Sequence, residues 1–256
     1  MKIVVLMKQT FTTEARIELD GSGKPNDSKV KKVVNPYDEF AVEEAIQLVE
    51  RKVAEKVTVV CLGPASAEEA LRQCLAMGAD EAVRVDSAGL EEADSSVVAS
   101  VLAGAVKSMG YDLLLAGYVA VDDNAAQVAV RVAELLDIPQ INVVSRLEVA
   151  NGTATGWREA DGRTEVLEVP LPALVTADKS LNKPRYPTLP NIMKAKKKPL
   201  AVKAPADFGI NPPASKTRVV KYELPPPKSG AKIFKGTPAE AAAALVKALR
   251  EEAKVV

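Results

Sequence analysis

The stretch GYVAVDDNAAQV at 117–128 sets two adjacent carboxylates, Asp122 and Asp123, between a glycine and an alanine-containing segment. Carboxylates so placed can accept hydrogen bonds from ribose hydroxyls or ligate a metal. A helix beginning at Asn124 would offer its first backbone amides to a phosphate. The same pair suits helix N-capping equally well. Comparable short stretches are Leu6-Met7-Lys8, Asn35-Pro36-Tyr37-Asp38 and LGPAS at 62–66. The chain has no GxxxxGK[ST], and no GxGxxG follows its first apolar run. On residue types alone, each stretch fits ordinary turn chemistry as well as ligand contact.

A second concentration of chemistry is PRYPTLPNIMKAKKK at 184–198, which closes on Lys194, Lys196, Lys197 and Lys198. Cations favour a helix C-terminus and Pro190 suits a helix start, so a solvated helix end accounts for much of it. Leu189, between Thr188 and Pro190, does not fit a buried sheet position. An apolar anchor ringed by cations suits the grip on an acidic partner, because charge steers the encounter and a small buried contact fixes it.

The totals narrow the classes. Lys plus Arg and Asp plus Glu are 34 each, so net charge gives no basis for general nucleic-acid binding. There is no histidine, which removes the commonest general base, and no catalytic residue is assigned. The two cysteines, Cys61 and Cys74, allow neither a disulfide framework nor a zinc site. Cys61 falls in an apolar run and Cys74 on a helix, which makes both structural. MKIVVLMK is too short an apolar run for a signal peptide, and nothing approaches a membrane span, so an intracellular soluble chain is expected.

These stretches hang on a regular scaffold. Apolar runs at 2–7, 57–63, 81–85 and 112–117 predict buried parallel strands. Helical spacing predicts helices over 38–53, 65–77, 95–109 and 124–136, the second and third closed by Gly78 and Gly110. The alternation implies a doubly wound, mostly parallel α/β sheet whose loops meet outside the C-terminal strand ends.

After Pro139 the rhythm changes. INVVSRLEV, TATGWREA and RTEVLEV, separated by Asn151-Gly152 and Asp161-Gly162, predict an antiparallel insertion. LPALVTAD (171–178) resumes as a buried strand. Residues 204–236 are proline-rich and thinly apolar, an extended arm expected to lie against something, another subunit included. Thr237-Pro238-Ala239-Glu240 then predicts a capping box opening a final helix. The expected organisation is an α/β domain over 1–203 and a C-terminal arm with helix over 204–256, packing on a partner.

VTADKSLNKPRYPTLPNIMKAKKK (175–198) resembles the signature of the electron-transfer flavoprotein β-subunit. NPYDEFAVEEA (35–45), LAMGADEAVRV and the proline-rich tail before a last helix extend the resemblance over essentially the whole chain. The resemblance implies a heterodimer whose α-subunit holds most of the redox FAD, with this chain an electron carrier's subunit rather than a conventional enzyme. It implies electrons taken from acyl-CoA dehydrogenases and passed to a membrane-bound electron-transfer flavoprotein-quinone oxidoreductase, without membrane insertion of this chain. A cytoplasmic, bacterial setting follows from the bacterial look of KQTFTTEAR (8–16).

Carried over position by position, the resemblance assigns AMP contacts to Leu6, to Asn35, Pro36, Tyr37 and Asp38, and to Leu62. It adds Gly117, Tyr118, Val119, Ala120, Val121, Asp122, Asp123, Asn124, Ala125, Ala126, Gln127 and Val128. Partner contacts fall on Leu189, Pro190, Ile192, Met193, Lys194 and Lys197, with Leu189 the inserted residue and the two lysines matching positions methylated in some members. Gly117-Tyr118-Val119 replaces the Gly-Lys-Gln of many AMP-binding members, and Ala125-Ala126 replaces more polar residues. An electron-bifurcating branch carries a second FAD in place of AMP. That branch usually has glycine at the position of Asp123 and lacks this LPNIMKAKKK form, so AMP is favoured with a second FAD as the alternative. From another class stands a self-sufficient nucleotide-binding stress or signalling module, which would have little use for the long arm.

Overall fold

The computed structural model describes residues 1–28, 30–227 and 230–256. Two compact units divide it, residues 1–222 and 223–256. In the first, β1 (Lys2–Leu6) is followed by short strands β2 (Gln9–Phe11), β3 (Glu18–Leu19), β4 (Pro25–Asn26) and β5 (Lys32–Val34). Then come α1 (Pro36–Glu50), β6 (Lys56–Gly63), α2 (Ala67–Met77), β7 (Glu81–Asp86), α3 (Ser95–Met109), β8 (Leu113–Gly117) and α4 (Val128–Leu136). β9 (Gln140–Val144), β10 (Arg146–Ala150), β11 (Thr153–Ala160), β12 (Arg163–Pro170) and β13 (Ala173–Ala177) lead to α5 (Leu189–Ala195) and β14 (Leu200–Lys203). A 3-10 turn follows at Pro205–Phe208, and α6 (Pro238–Glu251) lies in the second unit.

The main sheet has 7 strands in the order β14-β7-β6-β1-β8-β13-β9, every pair parallel. Both faces are covered at its centre, which is why β1, β6, β8 and β13 are nearly continuous apolar runs rather than alternating ones. Ile3 and Val5 pack on one side with residues of α1 and α2, while Val4 and Leu6 pack on the other with α3 and α4. The chain leaves β1 towards β6 and later returns to its other side as β8. That reversal opens a crevice at the C-terminal ends of β1 and β8.

Helix ends follow local chemistry. Asp94 Oδ1 accepts from the amides of Ser96 and Val97, both at 3.0 Å, and so caps α3. Gly78 takes φ +149° at the end of α2. In α6, Thr237 and Glu240 form the expected capping box.

The structure corrects the sequence at several places. α4 starts at Val128, not Asn124, because Asn124 and Ala126 have φ of +54° and +51°, outside the right-handed helical region. Asp122 and Asp123 therefore cap no helix. The run INVVSRLEV is not one antiparallel strand: β9 belongs to the parallel sheet, and the chain breaks at Ser145 before β10 enters a 3-stranded antiparallel sheet with β11 and β12. β14 and the hairpins β2–β5 and β3–β4 had no expectation.

The start of the arm lies on its own chain. Phe208 and Ile210 pack into the α3–α4 side of the core. Gly104 makes room for this, since a Cβ there would stand 2.7 Å from Ile210 Cδ1. Asp94 Oδ2 accepts from the amides of Lys216 at 2.6 Å and Thr217 at 3.0 Å. In the second unit α6 has no buried residue, and Leu245 and Val246 are exposed.

Candidate functional site

The crevice holds a cavity of about 760 Å³, within the range of small-ligand sites. Its wall is built where β1, β6, β7 and β8 end. Asn35, one residue before α1, is buried and uses its side chain to fix the loop after β8: Nδ2 donates to Val119 O at 2.9 Å, and Oδ1 accepts from Val121 N at 3.2 Å. Asp38 does the same from the first turn. Its Oδ1 accepts from Gly117 N at 2.9 Å and its Oδ2 from Lys8 N at 2.7 Å. The N-terminus of α1 thus sets the loops after both β1 and β8.

Gly117 is a glycine for a packing reason. A Cβ there would lie 2.5 Å from Asp38 Oδ1 and 2.6 Å from Tyr37 Cβ. The close approach that requires glycine at this position is to the first turn of α1. Tyr37 and Tyr118 meet edge to face, with ring centroids 4.7 Å apart.

Lys8 closes one side. Its Nζ lies 2.8 Å from Asp122 Oδ1 and 2.9 Å from Asp123 Oδ2. Burial works against the Lys8 charge, but its two carboxylate partners outweigh that and raise its pKa. Burial likewise pushes Asp123 up, yet the Ala125 amide and Lys8 leave it below the ordinary carboxylate value. At Asp38 burial wins over the two amide donors, and its pKa is pushed up to about 7.

The opposite side rests on Arg84, buried on β7. It donates to Gly63 O at 3.0 Å, to Asp86 Oδ1 at 2.8 Å and to Glu68 Oε1 at 3.1 Å, locking the ends of β6 and β7 to α2. Two further features face the cavity. α4 begins there without a side-chain cap, and buried Thr10, among the lining residues, has a hydroxyl without a hydrogen-bond partner.

Of the predicted nucleotide contacts, Leu6, Asn35, Asp38, Leu62, Gly117–Ala120, Asp122, Asp123 and Ala125–Val128 border this one cavity. Pro36, Tyr37, Val121 and Asn124 do not. Sequence reasoning missed Gln9–Phe11 and the loop after β7, with Asp86, Ser87, Leu90 and Ser95. Position at the C-terminal end of a parallel strand was the available signal for that loop.

The cysteines supply no reactive thiolate. Both are buried and unpaired, and burial pushes the Cys61 thiol up to about 12 and the Cys74 thiol well above its usual value.

A separate surface forms at α5. Thr188 caps it, and Pro190 sits in its first turn. Leu189, Ile192 and Met193 are 79%, 41% and 62% exposed, an unusual density for one short helix. Pro190, Lys194, Lys196 and Lys197 are exposed around them. Lys198 differs: its Nζ turns back to the carbonyls that end α2.

Residues 25–208 match the family described as electron transfer flavoprotein domain. The whole chain is 44% identical over 259 residues to the electron transfer flavoprotein subunit beta of Bacillus subtilis (strain 168), covering 100% of both. Its identity to the subunit of the same name from Syntrophomonas wolfei is 44% over 257 residues, with 98% of that protein covered. The Homo sapiens subunit is 38% identical over 259 residues, with 99% covered. Among the described residues no helix is long and apolar enough to cross a membrane. With the fold, the crevice and these relatives in agreement, the chain belongs to the electron transfer flavoprotein β-subunit family, one component of a flavoprotein of electron transport whose partner is an α-subunit.

Proposed function

We propose that the crevice cavity binds AMP and that the chain, paired with an α-subunit holding the redox FAD, carries electrons from acyl-CoA dehydrogenases to an electron-transfer flavoprotein-quinone oxidoreductase. A bacterial cytoplasmic setting goes with that reading. The observation that carries it is the composition of the cavity wall. Uncapped first-turn amides of α4 suit a phosphate, the carboxylates of Asp122 and Asp123 suit ribose hydroxyls, and the Thr10 hydroxyl is a buried polar group in want of a partner. Bound there, AMP stabilises the fold by mass action and takes no part in redox chemistry.

The flavin supplies the electron chemistry. This chain's residues orient and dock. Leu189, Ile192 and Met193 offer the anchor, Lys194 and Lys197 the steering charge, and the solvent-facing Leu245 and Val246 of α6 a surface for the α-subunit. That division fits a chain without histidine, the commonest general base.

The test is the identity and stoichiometry of nucleotides released on denaturing the purified αβ complex. One FAD with one AMP is expected. Two FAD without AMP would move the protein to the bifurcating branch, the alternative left open by the departures from the AMP-binding pattern at Tyr118-Val119 and Ala125-Ala126. A chain that is cooperative and well folded without an α-subunit, and that carries ATP, would instead support the self-sufficient signalling module.

A further inference from the structure

The exposed helix α5 is seated by a reciprocal interlock with α2. Arg72, in the middle of α2, donates from Nη1 to Ala195 O at 2.8 Å and to Lys198 O at 2.7 Å. Lys198 answers with Nζ bonds to Leu75 O at 3.1 Å, Gly78 O at 3.3 Å and Ala79 O at 2.6 Å. Each cation thus binds carbonyls at and just beyond the C-terminal end of a helix, Arg72 at α5 and Lys198 at α2, where the helix dipole also favours positive charge. Ala195 is 2% exposed and belongs to the main core, so the C-terminal end of α5 is fixed. Upstream, Arg185 binds Glu43 and Glu50 of α1. Between these moorings the apolar residues of α5 remain uncovered.

We infer that Arg72 and Lys198, neither of them on the exposed apolar face, are positioning residues that hold α5 in its docking geometry. Lys198 is accordingly an internal cap and not part of the steering charge, although it closes the lysine run in sequence. A seven-residue helix has little stability of its own in water. Without the interlock, α5 would have to be ordered at each encounter, and that ordering cost would come out of the docking affinity. This inference rests on the reading that α5 docks an electron donor.

The test compares Arg72→Gln, Lys198→Gln and Leu189→Ala in the purified αβ complex, with an acyl-CoA dehydrogenase as donor. Both interlock variants are expected to raise the KM for the dehydrogenase about tenfold with kcat within about twofold, the signature of lost preorganised binding. Amide exchange at 189–198 should quicken in both, while dithionite reduction of the flavin and nucleotide content stay as in the parent. If one variant fails to assemble, the other carries the test. An unchanged KM in the interlock variants, with a raised KM in Leu189→Ala, overturns the positioning role and leaves the docking reading standing. Unchanged KM in all, with faster exchange at 189–198, overturns the docking reading, and the positioning role falls with it.

Discussion

Asp38 and Gly117 meet across the crevice, the Asp38 Oδ1 accepting from the Gly117 amide at 2.9 Å, in a space that admits no side chain at residue 117. The first turn of α1 and the end of β8 are thereby held in one geometry. Gly117→Ala would force a Cβ to within 2.6 Å of Tyr37 Cβ and 2.7 Å of the Tyr37 carbonyl carbon. Backbone cannot yield as a flexible side chain can, so the cost should reach at least the roughly 1–3 kcal/mol of ordinary overpacking. Thermal melting of the complex should shift down and nucleotide retention fall. An unshifted melt with full nucleotide content would show that α1 and β8 are not so tightly matched.

Burial gives Asp38 a pH signature. Its carboxyl is pushed up to about 7 in the fold from an ordinary 3.8. Between those values the folded state holds a proton that the unfolded state has released, so stability falls as pH rises through that window and levels off above it. Asp38→Asn removes the titration. It also exchanges one acceptor for a donor facing an amide, with a cost of about 1–3 kcal/mol. The variant should be less stable than the parent at pH 5, and the gap should narrow by pH 8. Parallel melting curves for both proteins between pH 5 and 8 would remove Asp38 as the titrating group.

Much of this scaffold was legible because physics constrains it locally. Strands covered on both faces must be apolar nearly throughout, so β1, β6, β7 and β8 stood out, and Gly78, Gly110 and Thr237 marked helix ends by their own chemistry. What escaped depended on tertiary context. β14 is an edge strand whose apolar run is only Leu200-Ala201-Val202, too short between Pro199 and Lys203 to be told from a loop. α4 was drawn too long because Asn124 and Ala126 occupy left-handed backbone that composition does not reveal. At the site, the loops were located by their place after parallel strands, but the ion triad of Lys8, Asp122 and Asp123 joins residues more than a hundred apart. The double duty of Asn35 and Asp38 was hidden for the same reason.

The loop before α5 depends on a part-buried ion pair. Glu43 is 3% exposed and takes two bonds from the Arg185 guanidinium, which reaches Glu50 as well. Burial pushes Glu43 up, but Arg185 and Gln47 outweigh it and hold its pKa below the usual value. Arg185→Ala should destabilise the protein by about 2 kcal/mol, less than the 3–5 of a fully buried pair because Arg185 is 34% exposed. Arg185→Lys keeps the charge without the fork and should lose less. Equilibrium denaturation of the complex decides this, and equal losses in both variants would point to side-chain packing rather than bidentate pairing.

Leu189 and its neighbouring lysines should separate into anchor and steering roles. Leu189 is 79% exposed, so its truncation removes little from the fold, and Leu189→Ala should melt with the parent and keep its FAD. In a docked complex the same side chain is a candidate hot spot worth about 2 kcal/mol, which slows reduction by dilute dehydrogenase roughly thirtyfold. Reversing Lys194 and Lys197 to glutamate acts earlier. It should lower the association rate and weaken or invert its dependence on ionic strength, while dissociation changes little. Stopped-flow reduction of the bound flavin over a range of dehydrogenase and salt concentrations resolves the two. A Leu189→Ala complex reduced at the parent rate would remove Leu189 from docking. A salt dependence unaltered by the lysine reversals would assign the steering to charges elsewhere on the surface.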